Sequence, residues 1–238
     1  GRTGKVKPFS PKDDGGDLVE TAFMIQGLLT VAEYFKDGNE LEKKLVADID
    51  HLWRGVEWEW YTREGRDVLY WHWSPNYGWD MNFPVGGYNE CLIMYILAAA
   101  SPTHPIHPDA YHKGWARSGA IKNDTFYYGL RTVLDHYEYD DDPVWPLFWA
   151  HYSYLGLDPR RLRDRYADYW ELNRNHALIH YRYALDNPGG YKGYGPEQWT
   201  AMPAIIPERI GESFPRRPPC HLSRIRQRNP CNSSAIYI

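Results

Sequence analysis

Residues 15–60 read GGDLVETAFMIQGLLTVAEYFKDGNELEKKLVADIDHLWRGVEWEW. After Gly15-Gly16, the apolar residues Leu18, Phe23, Met24, Ile25, Leu28, Leu29, Val31 and Tyr34 fall at mixed spacings of three and four. This pattern predicts a helix of about five turns with a wide apolar stripe. Asp37-Gly38-Asn39 stops it, and a second helix is predicted from Glu40 toward Trp60, with Leu41, Leu45, Val46, Ile49, Leu52 and Trp53 on one face. Two helices joined by three turn residues make a helical hairpin. Further along, residues 62–87 are polar, aromatic and interrupted by Pro75, Pro84 and Gly86-Gly87, the pattern of a long functional loop. Tyr88 to Ala100 is apolar on almost every side, which predicts a buried helix closed by Ser101-Pro102. Phe126 to Val133 predicts a short strand pair and Leu147 to Leu155 a helix. Arg161 to Leu185 predicts a long amphipathic helix ended by Asp186-Asn187-Pro188-Gly189-Gly190. Helices with long aromatic loops dominate, so the expected fold class is all-α.

Composition narrows the function. Leu, Ile, Val and Phe number 48 of 238 residues, enough to fill a core, while a net charge of −4 removes the broad basic face that nucleic acid requires. No apolar run approaches the roughly 20 residues that span a bilayer, so no membrane span is expected. The aromatic residues are 11 Trp and 20 Tyr against 7 Phe. Trp and Tyr carry a polar handle and suit half-wet surfaces. Cys91, Cys220 and Cys231 form no C-x-x-C pair, and the N-terminus shows no signal peptide and no initiator Met, which reads as a processed or truncated start.

Residues 201–238 differ from the rest. They hold six Arg against two acids, six Pro and no Trp, whereas residues 1–200 carry 21 basic and 29 acidic groups and all eleven Trp. Such a basic, Pro-rich stretch buries little and is expected to be poorly ordered. Two units follow: a domain over 1–200 and a tail over 201–238.

Three places can carry chemistry. Asp13, Asp14, Asp17 and Glu20 put four carboxylates in eight residues at a helix start. Asp17 with Glu20 resembles a capping box, and acids in a first turn complement the helix dipole. The same spacing puts both on one face, with Gly15-Gly16 allowing close approach of a ligand. The loop Tyr70-Trp71-His72-Trp73-Ser74-Pro75-Asn76-Tyr77-Gly78-Trp79-Asp80, leading to Asn89-Glu90, supplies flat aromatic faces beside carboxylates and amides. Sugars need both kinds of contact, although a hydrophobic cluster under a long loop would have the same composition. Glu90 stands before Cys91-Leu92-Ile93-Met94, where desolvation raises a carboxyl pKa toward that of a general acid. His104 and His107 lack a third ligand at any zinc spacing, and no nucleophile elbow, P-loop or dinucleotide motif occurs, so neither metal nor cofactor is expected. His176 and His180, one helical turn apart, read as packing or hydrogen-bonding residues.

The strings Gly16-Asp17-Leu18-Val19-Glu20-Thr21-Ala22-Phe23-Met24-Ile25-Gln26-Gly27, Gly78-Trp79-Asp80 through Gly87-Tyr88-Asn89-Glu90, Pro146 through Leu157, and Gly190-Tyr191-Lys192-Gly193-Tyr194-Gly195 resemble the bacterial glycoamylase-like family. That family includes endo-β-1,2-glucanases, with related domains in cyclic β-1,2-glucan synthases. The resemblance runs from about Thr3 to Trp199. It implies an (α/α)6 toroid of paired helices, no metal, and hydrolysis of a β-glucan with inversion between two carboxyl groups roughly 6.5 to 9.5 Å apart. Asp13, Asp17, Glu20 and Glu90 fall on acidic cleft positions of the family motif. Trp71, Trp73, Tyr77, Trp79, Asp80, Asn89 and Tyr194 are the expected substrate contacts, with Glu90 as the acid.

Family members carry further helices before the acidic motif, and five or six helices are expected here where a toroid needs twelve, so a fragment is expected. The tail departs as well. His221 through Asn229 can be encoded so that the third-base frame reads Ser-Phe-Pro-Tyr-Thr-Pro-Glu-Glu, a string of the family, which predicts a frameshift after about Thr200. Alternatives to a hydrolase are a non-catalytic carbohydrate-binding remnant, a transglycosylase domain of a cyclic-glucan synthase, and an all-α interaction scaffold. For the full-length protein a periplasmic or extracellular location fits.

Overall fold

The computed structural model of the chain describes residues 6–136 and 146–197. The tail expected over 201–238 lies outside them, as do Cys220 and Cys231.

Two helices open the fold as the apolar spacing predicts. Helix α1 (Leu18–Phe35) starts at Asp17, whose side chain accepts the Glu20 N–H. Helix α2 (Glu40–Arg54) starts at Asn39, where Oδ1 accepts the N–H groups of Leu41 and Glu42 and Glu42 returns a bond to the Asn39 N–H. This reciprocal cap satisfies donors that a helix start leaves unpaired. Helix α2 ends earlier than expected. The Gly55 N–H turns back to the His51 and Leu52 carbonyls, and a separate 3-10 turn, Trp58–Thr62, follows.

The long loop expected after this turn is present, with one tie to α1. Strand β1 (Gly16–Asp17) pairs antiparallel with β2 (His72–Trp73), Gly16 opposite Trp73 and Asp17 opposite His72. Four residues of ladder therefore pin the loop to the start of α1.

Helix α3 (Leu92–Ala100) is shorter than the apolar run suggests. Asn89 Oδ1 accepts the Cys91 N–H, and the N–H groups of Gly87 and Tyr88 are taken by the carbonyls of Trp115 and Asp135, so residues 87–91 are held out of the helix. The buried faces of α1 (Leu18, Val19, Ala22, Ile25) and α3 (Leu92, Ile93, Met94, Tyr95, Leu97, Ala98) share one core with Trp53, Trp58 and Trp115. Tyr95 locks the loop onto that core: its hydroxyl donates to the Val85 carbonyl at 2.7 Å and accepts the Leu69 N–H at 2.9 Å.

The expected strand pair is a hairpin of β3 (Lys122–Tyr127) and β4 (Leu130–Leu134), irregular between Asn123 and Phe126. Helix α4 (Leu147–His151) passes into a 3-10 turn, Tyr152–Leu155, over the expected span. Helix α5 (Tyr169–Asp186) begins eight residues later than expected. Asp164 Oδ1 accepts the N–H groups of Tyr166 and Ala167, and Asp168 caps the helix through Trp170 and Glu171, so residues 161–168 are spent on turns. The fold is thus helix-rich with a few short strands, the expected hairpin among them. Helix α1 is also long and apolar enough, by length and composition, to cross a membrane, contrary to the expectation from the sequence. It packs against α2 and α3 and carries Asp17 and Glu20 at its start.

Candidate active site

The start of α1 is built around Asp17. Oδ1 accepts the Glu20 N–H at 2.9 Å, the main-chain oxygen accepts the Thr21 hydroxyl at 2.6 Å, and Oδ2 accepts the Trp71 Nε1–H at 2.7 Å. The Leu18 N–H donates to the Trp71 carbonyl at 2.9 Å. The carboxylate is therefore fixed by its own helix on one side and by the aromatic loop on the other. The capping box is only half made: Glu20 gives its N–H to Asp17, while its exposed carboxylate bonds no other described residue.

Glu90 faces these acids from the turn before α3. Its carbonyl accepts the Ser153 hydroxyl at 2.7 Å, and Ser153 Oγ accepts the Ile93 N–H at 3.1 Å, so the turn is anchored to α3 through one buried serine. Burial first, then the charges of Glu20 and Asp17, push the Glu90 carboxyl up to about 7. Three carboxyl groups from two elements thus share one field, and the half-buried member keeps its proton near neutrality. A carboxyl raised by burial beside two further carboxyl groups is the kind of arrangement that general acid–base chemistry uses.

Asp13 belongs to a neighbouring network. Its Oδ1 lies 3.3 Å from Nε2 of the fully buried His72, which also accepts the Gly15 N–H at 3.2 Å. Nδ1 of the same ring is buried and bonds no described residue. Asp14 accepts Ser74 Oγ–H at 2.5 Å and Asn76 Nδ2–H at 2.6 Å, and these bonds hold its carboxyl below the usual range. This network fixes residues 13–17 against the loop.

The aromatic residues divide by environment. Trp73 and Trp79 are half-buried, and Tyr77 is 49% exposed. Trp71 serves Asp17 through its indole N–H. Asp80 is exposed and paired with Lys12 at 2.8 Å. Asn89 uses both ends of its amide on the backbone, accepting from Cys91 and donating to the Gly86 carbonyl at 3.1 Å. Tyr194 lies beyond α5 against Tyr183 and Tyr191.

Two further residues at the site stand on the 3-10 turn after α2 and carry no motif. Tyr61 packs edge-on against Trp79 and is pushed up to about 12 by burial and by the charge of Asp17. Trp60 beside it is 51% exposed. The only available signal was aromatic density at the helix end, which also fits continued packing.

Elsewhere, His176 and His180 meet at 3.2 Å between their Nε2 atoms, and no group of three or more His, Cys, Asp or Glu among the described residues is placed to hold a metal ion. A cavity of about 310 Å³ lined by Asp67, Val68, Lys113 and Arg117 is separate from the acids. Its cations are already paired, Lys113 with Asp67 and Asp109 and Arg117 with Asp135.

Comparison with known proteins shows what the chain is similar to. Residues 82–204 match the glycoamylase family model, described as "Putative glucoamylase". An exo β-1,2-glucooligosaccharide sophorohydrolase (non-reducing end) from Parabacteroides distasonis is 43% identical over 233 residues, covering 91% of this chain and 32% of that protein. An endo-β-1,2-glucanase from Chitinophaga pinensis, solved with sophorotriose and glucose, superposes with a TM-score of 0.79 at 64% identity, covering 83% of this chain and 47% of that one. A β-1,2-glucanase structure from Parabacteroides distasonis gives 0.73 at 42% identity, covering 82% and 30%. The chain thus spans between about a third and a half of the length of these relatives.

Proposed function

The chain belongs to the glycoamylase family, and on that footing we propose that it carries the acid-bearing part of a glycoside hydrolase that cleaves β-1,2-linked glucan with inversion. Glu90 is the general acid. The observation that carries the reading is the meeting of two elements: the half-buried turn of Glu90, anchored through Ser153, and the start of α1 with Asp17 and Glu20, where burial and those charges raise the Glu90 carboxyl to about 7. Glu20 is the base, because its carboxylate is exposed and free of other described partners and so can take a proton from water. Asp17 is a fixed charge that favours the developing positive charge of an oxocarbenium-like transition state. Asp13 lies beside the buried His72 at the edge of the acid cluster, and Trp73, Tyr77 and Trp79 line the sugar path, with Asp80, Asn89 and Tyr194 shaping its loops. We further infer that α1 and α2 are one hairpin of a helical toroid, and that residues 1–200 form the catalytic unit with 201–238 as a basic tail. Glu90 protonates the glycosidic oxygen as that bond breaks, while Glu20 removes a proton from the water that attacks the anomeric carbon from the opposite face.

The test is incubation with linear β-1,2-glucan and sophorotriose, followed by proton NMR in the first minutes. The expected first product is the α-anomer. A β-anomer would overturn inversion, and no cleavage with intact binding would reduce the site to carbohydrate recognition.

A further inference from the structure

The 3-10 turn Trp58–Thr62 is rigid from below and open above. Trp58 is fully buried and meets Trp53 edge-on at 5.9 Å, while Thr62 donates to the Glu59 carbonyl at 2.7 Å and accepts the Gly65 N–H at 3.1 Å. Tyr61 is clamped against Trp79 at 5.6 Å, and its carbonyl accepts the Tyr70 N–H at 2.9 Å. Between these anchors Trp60 keeps about half of its surface in water. Its ring is held by two neighbours, edge-on to Trp73 at 6.2 Å and tilted 38° to Trp79 at 6.2 Å. Trp79 is braced in turn by Tyr70 and by the Arg63 guanidinium 5.5 Å away, which also bonds Asn82 Oδ1 at 2.5 Å.

We propose that Trp60 is an outer sugar-stacking platform that holds a glucose unit of the glucan chain beyond the acid cluster. The inference rests on the glucan reading above. It draws on continuity: Asp17 pairs with His72, Gly16 with Trp73, and Trp60 stands against Trp73, so the exposed indole is one ring beyond the strand that carries the acid. It also draws on chemistry. An indole with an open surface and a fixed plane suits the C–H face of a pyranose, and Asn82 with Arg63 puts amide and guanidinium donors within the same group of rings. A ring held by its neighbours loses little freedom when a sugar stacks on it.

Trp60→Ala and Trp60→Phe, measured on linear β-1,2-glucan and on sophorotriose, test this. For Trp60→Ala a rise in KM of about 10-fold on the long glucan is expected, by analogy with stacking on other flat rings. The kcat values and the sophorotriose KM should stay near wild type, and Trp60→Phe should retain most of the affinity. The thermal midpoints of both variants report whether folding is intact. Wild-type KM on long glucan in a folded Trp60→Ala variant overturns the platform, as does an equal loss on both substrates, which is the mark of a structural role. A wild-type protein that neither binds nor cleaves glucan overturns the parent reading instead.

Discussion

Trp71 donates its indole N–H to Oδ2 of Asp17 at 2.7 Å, joining residues 54 positions apart in the chain. A tryptophan that reads in the sequence as a sugar platform thus reaches the acid site through its polar edge. Hydrogen bonds to a charged group are worth about 1.5–3 kcal/mol, so losing this one should loosen the aim of the Asp17 carboxylate. Trp71→Phe keeps a ring face and removes only the donor. The expectation is a fall in kcat of roughly 10-fold or more with little change in KM. Steady-state kinetics on β-1,2-glucan decides it: a Phe variant with wild-type kcat would return Trp71 to the platform role.

On the proposed role of Glu90 as the acid, replacing it should lower activity and raise stability. Its carboxyl moves from 4.5 to about 7 on folding, so between those values the folded chain holds a proton that the unfolded chain has released. Stability therefore falls as pH rises through this window, and the cost is fully present above about 7. Fully shielded, such a shift would be worth about 3 kcal/mol at 1.36 kcal/mol per unit, and solvent at the half-open carboxyl reduces this to about 1 kcal/mol. Glu90→Gln should match wild type in stability near pH 4 and exceed it at pH 8, while lowering turnover by roughly 100-fold. The wild-type rate should decline as pH rises through about 7, when the acid loses its proton. Denaturation and rate profiles over pH 4–9 measure both, and an equal stability difference at both ends would remove Glu90 as the titrating group.

The acids were legible because each is written locally. Asp17 stands at an N-cap position with Glu20 one turn on, and Glu90 precedes an apolar run whose burial is plain from composition. Their meeting was not legible, since it depends on the β1–β2 ladder and on the Ser153 anchor, contacts 55 to 63 residues apart that no spacing encodes. The start of α5 was missed for a related reason. Arg161 to Ala167 has helical composition, but Asp164 and Asp168 spend their carboxylates on turn and cap N–H groups, and local side-chain bonds won over propensity. Trp60 and Tyr61 were hidden in what reads as the end of α2, because the break at Gly55 leaves the aromatic spacing unchanged.

Gly15 and Gly16 are adjacent, but the structure requires glycine at each for a different reason. A Cβ on Gly15 would lie 2.1 Å from the Trp73 carbonyl oxygen and 2.8 Å from Ser74 Cα, atoms of a backbone pinned by the ladder. A Cβ on Gly16 would meet Tyr61 Oη at 2.3 Å, with the next atom, Tyr61 Cζ, at 3.6 Å. The obstruction at Gly16 is therefore a single hydroxyl on a neighbouring turn. Overpacking typically costs about 1–3 kcal/mol, and Gly15→Ala should reach the upper end because backbone must move. Gly16→Ala should cost less, and Tyr61→Phe should recover most of that loss while giving nothing to Gly15→Ala. Urea denaturation of the two single glycine variants, Tyr61→Phe and both doubles gives the coupling energies directly. Strict additivity in the Gly16/Tyr61 pair would mean that the phenol does not press on β1, and Tyr61 would lose its place beside Asp17.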